Sequence, residues 1–434
     1  MRVRLRRLCL LVTALGLAYP ADAAEHVILI SVDGLRPDII DSLGAAQLPN
    51  FARLRREGAW THDARTDVDH TFTSPNHVSM VTGRPVNGVS GHNYTNNGTV
   101  TLTLHQTKGA YVASMFDVAH DHGRKTAVYR SKDKLEIFTK SYDAANGAVD
   151  RTGVDNGRDK IDSDVFVGDG MARDVVARFV AEMPVQRFHL TLLHLVDPDT
   201  VGHGDNWLTP TYASAVRVTD GFVGQVLNMI AATPALAGRT AIVLTADHGG
   251  TGSAHSDQAN VLNYRIPFYV WGPDVTRGGD LYEFSLLTRL HPGATRPAYS
   301  AAVQPIRNGD AGNLALKLLG LPAVPDAGAV INRNQDLAFN PLFLKVTPQL
   351  SSTGAITVSW ENLGPSVVYT VETTADVAAP VWQPAAGQTW PISETSWTDT
   401  APGARQKFYR VKVTRSVPAP ARSPARRAVR STRK

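Results

Sequence analysis

The sequence predicts an α/β fold, a mixed and mostly parallel sheet flanked by helices, followed by a small β-sandwich. Three observations predict it. Five short apolar runs, "HVILISV", "KTAVYR", "FHLTLLHLV", "TAIVLTA" and "IPFYVWG", read as buried parallel strands. Helix-compatible stretches such as "GMARDVVARFVAEM" and "YASAVRVTDGFVGQVLNMIAA" alternate with them, as they do when helices cover both faces of a sheet. Beyond Pro341 the texture changes. "LFLKVTPQL", "AITVSW", "VVYTVETT" and "KFYRVKVT" alternate with period two between Gly, Pro and Asn turns.

Taken in order, the chain opens on a targeting segment. "MRVRLRR" is a basic region, "LCLLVTALGLA" is an apolar run too short to span a bilayer, and "ADAA" offers small residues for cleavage after Ala23. No other stretch is long and apolar enough to span, so the expectation is an exported, periplasmic or extracellular protein without a membrane span. The α/β domain then runs over 24–341 and ends in "GDAGNLALKLLGLP", a helix stopped by Gly320 and Pro322. The β-sandwich covers 342–414 and resembles a fibronectin type III module. Residues 415–434, rich in Pro, Ala and Arg, read as a disordered tail.

Cys9, inside the targeting segment, is the only cysteine, so the processed chain holds neither thiol nor disulfide. The net charge of +5 comes from the two ends. Between them the body carries 34 basic and 38 acidic residues, which gives no basis for nucleic-acid binding.

Three predicted strands end in acids: Asp33 after "VILISV", Asp197 and Asp199 after "LTLLHLV", and Asp247 with His248 after "AIVLTA". Ligands of open α/β sheets bind outside the carboxyl ends of the strands, where such groups converge. A single Asp there is usually a helix cap. Three such ends with histidines nearby match what zinc selects, carboxylate oxygen with neutral imidazole nitrogen. "DPDTVGHG" sets His203 four residues after Asp199, with Gly202 allowing the loop to fold back. "DHGGTGSAHSD" adds His255 across a glycine-rich loop. His105, His120, His122, His189, His194 and His291 have no partnered pattern and read as ordinary polar residues. Asp197 reads equally as a loop cap or as an orienter of Asp199.

Assembled, "ISVDGLRPD", "TSPNHVSMVTG", "DPDTVGH" and "TADHGG" resemble the type I phosphodiesterase/nucleotide pyrophosphatase family of the alkaline phosphatase superfamily. Their order and approximate spacing match over Glu25 to Asp326. The resemblance implies an alkaline phosphatase-like catalytic domain. It makes Thr73 the nucleophile, with Ser74 at a position often filled by an aromatic. It implies two Zn2+ ions, one held by Asp33, Asp247, His248 and the Thr73 oxygen, the other by Asp199, His203 and a later histidine. His255 is favoured for that last place and His291 is the fallback. Asn93 matches the amide expected on a phosphoryl oxygen. The implied reaction is hydrolysis of a small phosphoester or nucleotide-like phosphoanhydride through a phosphothreonine intermediate.

Lys132 and Lys134, in "YRSKDKLEIF", resemble a Lys-x-Arg pair that reads phosphate in monoesterase relatives, with Lys in place of Arg. A solvated strand end is their plainer reading. A phosphomonoesterase on the same site is therefore the second expectation. A secreted, non-catalytic binding protein is the third, disfavoured by the complete set of Asp and His residues. Trp360, Trp382, Trp390 and Trp397 read as core or inter-sheet residues of the β module.

Overall fold

A computed structural model describes residues 23–167, 171–325, 331–403 and 406–416. Apart from Ala23, the targeting segment lies outside the described residues, as does the basic tail beyond Ser416. The chain divides into two compact units between Asn340 and Pro341.

An eight-stranded sheet organises the larger unit. Its strands are β1 (His26–Val32), β2 (Ala59–Arg65), β3 (Thr126–Arg130), β4 (Ser163–Phe166), β5 (Leu190–Leu195), β6 (Thr240–Thr245), β7 (Arg265–Trp271) and β8 (Gly279–Asp280). Across the sheet they run β4-β3-β5-β1-β6-β7-β2-β8. The first five of that row are mutually parallel. All residues of β1, β5 and β6 are buried, which requires cover on both faces. The helix Ala172–Gln186 packs on β3 and β5, and the helix Ala311–Leu318 on β1 and β6. Val27, Ile28, Leu29 and Ile30 are fully buried, each worth roughly 1.5–3 kcal/mol relative to exposure.

"IPFYVWG" departs from expectation. It forms β7, antiparallel to β6 on one side and to β2 on the other. The connection from β6 holds only a one-turn helix, Val261–Tyr264, whereas a parallel return usually needs a full crossover helix. β2 itself escaped the sequence reading. "AWTHDAR" interrupts its apolar residues with His62 and Asp63, and a register shift between Thr61 and Ala64 breaks the alternation.

The helix Thr73–Thr82 begins at an extended Phe72 and closes at Gly83, whose φ of 63° is the left-handed conformation glycine adopts freely. Pro75 falls in its first turn, where a missing N–H costs nothing. All ten residues are buried, so packing rather than amphipathicity holds it.

The smaller unit contains β9 (Phe343–Leu344), β10 (Thr347–Leu350), β11 (Ile356–Ser359), β12 (Val367–Thr374), β13 (Gln383–Pro384), β14 (Ser396–Asp399) and β15 (Phe408–Arg415). They form two antiparallel sheets, β10-β11-β14 and β13-β12-β15-β9. Val358, Tyr369, Val371, Val411 and Val413 are buried with Trp360. Trp390 and Trp397 meet edge to face at 5.7 Å, and Trp382 lies under the Arg410 guanidinium at 4.4 Å.

One buried ring makes the fold acid-sensitive. His92 is fully buried; its Nδ1 accepts from Tyr94 N–H (3.0 Å), so its Nε2–H donates to Ser79 Oγ (3.1 Å). Burial lowers its pKa to about 3. The unfolded chain therefore takes up a proton near the ordinary value of 6.5 that the fold refuses down to about 3. The contribution is complete above the unfolded value and is lost as pH falls below it, at up to about 1.4 kcal/mol per pH unit. Denaturant unfolding should show stability falling between about pH 6 and about pH 4. A flat profile across that window would contradict the assignment.

Candidate metal and phosphate site

Four adjacent parallel strands, β3, β5, β1 and β6, each release a polar residue at the carboxyl edge of the sheet. Strands lie about 4.8 Å apart, so groups leaving neighbouring ends meet. Asp33 follows β1, Asp199 follows β5, Asp247 and His248 follow β6, and Lys132 follows β3. Gly34 sets the closeness. Its φ is 70°, and a Cβ on it would lie 2.9 Å from Asp199 Cα, so a larger residue would push the two strand ends apart.

Asp199 and His203 do not sit on a folded-back loop. They lie one turn apart on the helix Asp197–Asp205, with His203 Nε2 3.4 Å from Asp199 Oδ1. Gly202 makes room instead for the Trp207 indole, which a Cβ there would approach to 2.4 Å. Asp197 is buried, and its Oδ2 accepts from Ala172 N–H (3.0 Å) at the start of the helix Ala172–Gln186 that precedes it; it caps that helix.

The histidines share one arrangement. His203 Nδ1 donates to Ser253 O (2.8 Å), His248 Nδ1 to Gly249 O (2.8 Å), and His255 Nδ1 to Thr71 O (2.5 Å). Each ring thereby has its proton on Nδ1 and turns an Nε2 lone pair inward. His248 Nε2 lies 3.4 Å from Asp33 Oδ1 and 3.3 Å from Asp247 Oδ2. His255 Nε2 lies 3.2 Å from His203 Nε2 and 3.8 Å from Asp199 Oδ1. Two lone pairs facing each other at that distance repel unless a cation lies between them. Burial lowers the pKa of His248, and takes His255 to about 2 with help from His248, so both rings are neutral at physiological pH. His291, the fallback, is elsewhere: Nε2 meets Asp63 Oδ2 at 3.2 Å and the ring sits beside Tyr282.

The carboxylates complete the picture. Asp33 Oδ1, Asp199 Oδ1 and Asp247 Oδ2 are buried with no hydrogen-bond partner among the described residues. Burial would raise Asp33, but the Lys132 ammonium and the His194 hydrogen bond outweigh it and hold the carboxyl well below the usual range. Burial and the Asp33 charge push Asp247 well above that range. Candidate ligand atoms fall into two clusters, Asp33/Asp199/His248 and Asp199/His203/His255. Buried anions are costly unless paired or bound to metal. These donors, mixed oxygen and neutral nitrogen, fit zinc.

Thr73 occupies the first position of its helix, 1% exposed, with Oγ1 3.4 Å from both His248 Nε2 and Lys132 Nζ. The helix N-terminus beneath it favours an anion. His77, in the same helix, donates from Nδ1 to Thr73 O (2.8 Å), and its Nε2 meets Ser31 Oγ at 2.8 Å. Lys132 Nζ bridges Asp33 Oδ2 (2.7 Å) and Asp199 Oδ2 (2.6 Å). Lys134 is half-buried nearby, its pKa lowered by burial and by the Lys132 charge.

Asn93 is not brought to Thr73. It is exposed with φ 59°, and its amide, oriented by its neighbours, donates to Val86 O (3.3 Å) and Gly88 O (3.0 Å). It is a turn residue of the left-handed kind asparagine tolerates. Asn97 is there instead, its Oδ1 accepting from Ser74 N–H at 2.9 Å. The tandem amides of "NYTNNGT" gave no spacing to choose between them. His194 was also passed over, though it is fully buried with Nε2 3.1 Å from Asp33 Oδ2. The available signal was a histidine inside an otherwise apolar strand.

An α/β sheet edge thus carries two Asp/His clusters that could hold metal ions, beside a helix-borne hydroxyl. The chain belongs to the type I phosphodiesterase/nucleotide pyrophosphatase family, whose model matches residues 27–268. Among curated proteins it is similar to GPI ethanolamine phosphate transferase 1 of Mus musculus, 27% identical over 280 residues, 58% of this chain and 27% of that protein. The Neurospora crassa protein of the same name is 28% identical over 196 residues, 42% and 18% of the two chains. The chain thus spans roughly a fifth to a quarter of the length of these relatives. Among solved structures it is similar to murine ectonucleotide pyrophosphatase/phosphodiesterase 5, an inactive variant in complex with AMP. That match has 14% identity and a TM-score of 0.49, over 72% of this chain and 99% of that one. A 2-O GAG sulfatase matches at 12% identity and TM-score 0.48, over 80% and 82%.

Proposed function

We propose that this chain is an exported, zinc-dependent phosphodiesterase or nucleotide pyrophosphatase that works through a phosphothreonine on Thr73. The observation that carries the reading is the convergence of three imidazole Nε2 lone pairs on three buried carboxylate oxygens, Asp33 Oδ1, Asp199 Oδ1 and Asp247 Oδ2, that have no hydrogen-bond partner among the described residues. Asp33, Asp247, His248 and Thr73 would hold one zinc, and Asp199, His203 and His255 the other. When bound, the ions lower the pKa of a coordinated hydroxyl and offset negative charge on the phosphoryl group.

Thr73 Oγ1 attacks phosphorus, the P–O bond to the leaving group breaks, and water later cleaves the Thr73–phosphorus bond. His77 fixes the Thr73 backbone, which sets the angle of attack. The Asn97 Nδ2 protons hold a non-bridging oxygen at the helix N-terminus, the amide being oriented by Ser74 N–H on its Oδ1. The family membership supports phosphoester chemistry, and the AMP carried by the murine structure fits a small nucleotide-like substrate. Export rests on the N-terminal "MRVRLRR"/"ADAA" pattern. Among the described residues no helix is long and apolar enough to cross a membrane. Residues 342–414 would serve as a fibronectin type III-like accessory module to a 24–341 catalytic domain.

A phosphomonoesterase is favoured by one observation, the Lys132 cation at the nucleophile with a second lysine near it. Lys132 lies within 3.4 Å of Thr73 Oγ1, and Lys134 is half-buried nearby. A dianionic monoester gains more than a monoanionic diester from a second positive charge. Turnover of bis-p-nitrophenyl phosphate against p-nitrophenyl phosphate separates the two. The expected result is faster diester cleavage, abolished by chelation and restored by zinc. Faster monoester cleavage would give the site to the second reading. Absence of both would remove the enzymatic reading.

A further inference from the structure

We infer that His194 is a positioning residue for the metal centre, selecting which oxygen of Asp33 faces the ion. The inference rests on the zinc reading above. β5 is buried along its whole length, and His194 is the one ring in "LTLLHL" that needs two hydrogen-bond partners there. It has both. Nε2 lies 3.1 Å from Asp33 Oδ2, and Nδ1 lies 3.0 Å from Ser131 Oγ just beyond β3.

Strand register explains the reach. His194 stands opposite Ser31 on β1, and Ser31 and Asp33, two residues apart, project from the same face. The His194 ring therefore lies directly under the Asp33 carboxylate. Ser131 Oγ is also 2.8 Å from His194 O, but with Nε2–H given to Asp33 its one proton goes to Nδ1 and ties the ring to the end of β3. His77 meets His194 edge to face at 5.0 Å while holding Thr73 O. One buried floor, Ser31, His77, Ser131 and His194, thus supports both the nucleophile and a ligand carboxylate.

The chemical consequence concerns a single torsion. An Asp carboxylate turns about its terminal bond and presents either oxygen to an ion. An Nε2–H donated to Oδ2, with the Lys132 ammonium 2.7 Å from the same oxygen, stops that rotation and leaves Oδ1 for the cation. Asp33 Oδ1 is the oxygen without a hydrogen-bond partner, and it is the one 3.4 Å from His248 Nε2. Carboxylate ligands held by such outer partners typically lose about 10–100-fold in metal affinity when the partner is removed.

The test measures zinc affinity of the full chain by chelator competition, together with denaturant unfolding of the metal-free protein. His194→Leu should weaken one of two zinc ions by about 10–100-fold and leave the other unchanged. His194→Gln, which keeps an N–H near the same place, should recover most of the affinity. Ser131→Ala should weaken the same ion by less, and it carries the test should His194→Leu fail to fold. Wild-type affinity for both ions in His194→Leu and Ser131→Ala, with only the unfolding midpoint lowered, would overturn the inference and leave His194 a packing residue. Absence of zinc binding in the wild type would instead overturn the metal reading on which it stands.

Discussion

Thr73→Ala should lower kcat/KM for both phosphate diesters and monoesters by at least about a thousand-fold, because it removes the hydroxyl proposed to bond phosphorus. Thr73 is 1% exposed and its hydroxyl lies 3.4 Å from His248 Nε2 and 3.4 Å from Lys132 Nζ, so it sits where the candidate ligands meet the Lys132 ammonium. Ser74, adjacent in sequence, has a buried hydroxyl without a hydrogen-bond partner among the described residues, and its backbone N–H is turned to Asn97. The fold should survive the change. Thr73 does not cap its helix, which is held by ten buried positions, and the loss should stay near 1 kcal/mol. Thr73→Ser should retain substantial activity, since it keeps the oxygen and loses only a methyl group. Steady-state kinetics on both esters, with acid-quenched trapping of a phosphorylated chain, provide the check. An alanine variant within about tenfold of wild type would rule out a threonine nucleophile.

What the sequence made legible follows from what kind of constraint each residue obeys. Asp33, Asp199 and Asp247 could be read because each follows an apolar strand, and a strand end has only one place to go in an α/β sheet. His255 could be favoured because it lies near Asp247 in the chain, and the structure does bring it within 3.2 Å of His203. His291 was an open alternative only because sequence carries no distances, and its ring belongs to Asp63 and Tyr282. β7 was read with the wrong direction because apolar runs look alike whether their neighbours run parallel or antiparallel. His194 was invisible for a deeper reason. Its partners, Asp33 and Ser131, are 161 and 63 residues away and meet it only through strand register. Lys132 was seen as a phosphate reader, yet its contacts with Asp33 and Asp199 depend on three strand ends closing over Gly34. Residues set by local pattern were legible, and residues set by register were not.

The amide proposed to hold the phosphoryl oxygen is the sharpest case, because sequence and geometry name different residues. Asn97→Ala should cost about 10²–10³ in kcat/KM, the usual effect of losing one preorganised oxyanion donor. Asn97 Oδ1 accepts from Ser74 N–H at 2.9 Å, which fixes the amide plane one residue from the nucleophile and leaves two Nδ2 protons for a substrate oxygen. Asn93 makes its contacts with the Val86 and Gly88 carbonyls and lies exposed. The suitable control is Asn93→Gly, since glycine adopts the φ of 59° without strain whereas alanine would not. It should leave kcat/KM within about twofold of wild type. The two variants should also differ in kind. Losing a donor used mainly in the transition state lowers kcat more than it raises KM, whereas loosening the turn at Asn93 would act through stability alone. The reverse pattern, a large loss in Asn93→Gly and none in Asn97→Ala, would return the role to the position implied by the family motif. It would also mean that the segment 93–97 turns over when a phosphate enters, because one backbone cannot offer both amides to the same oxygen from its present conformation.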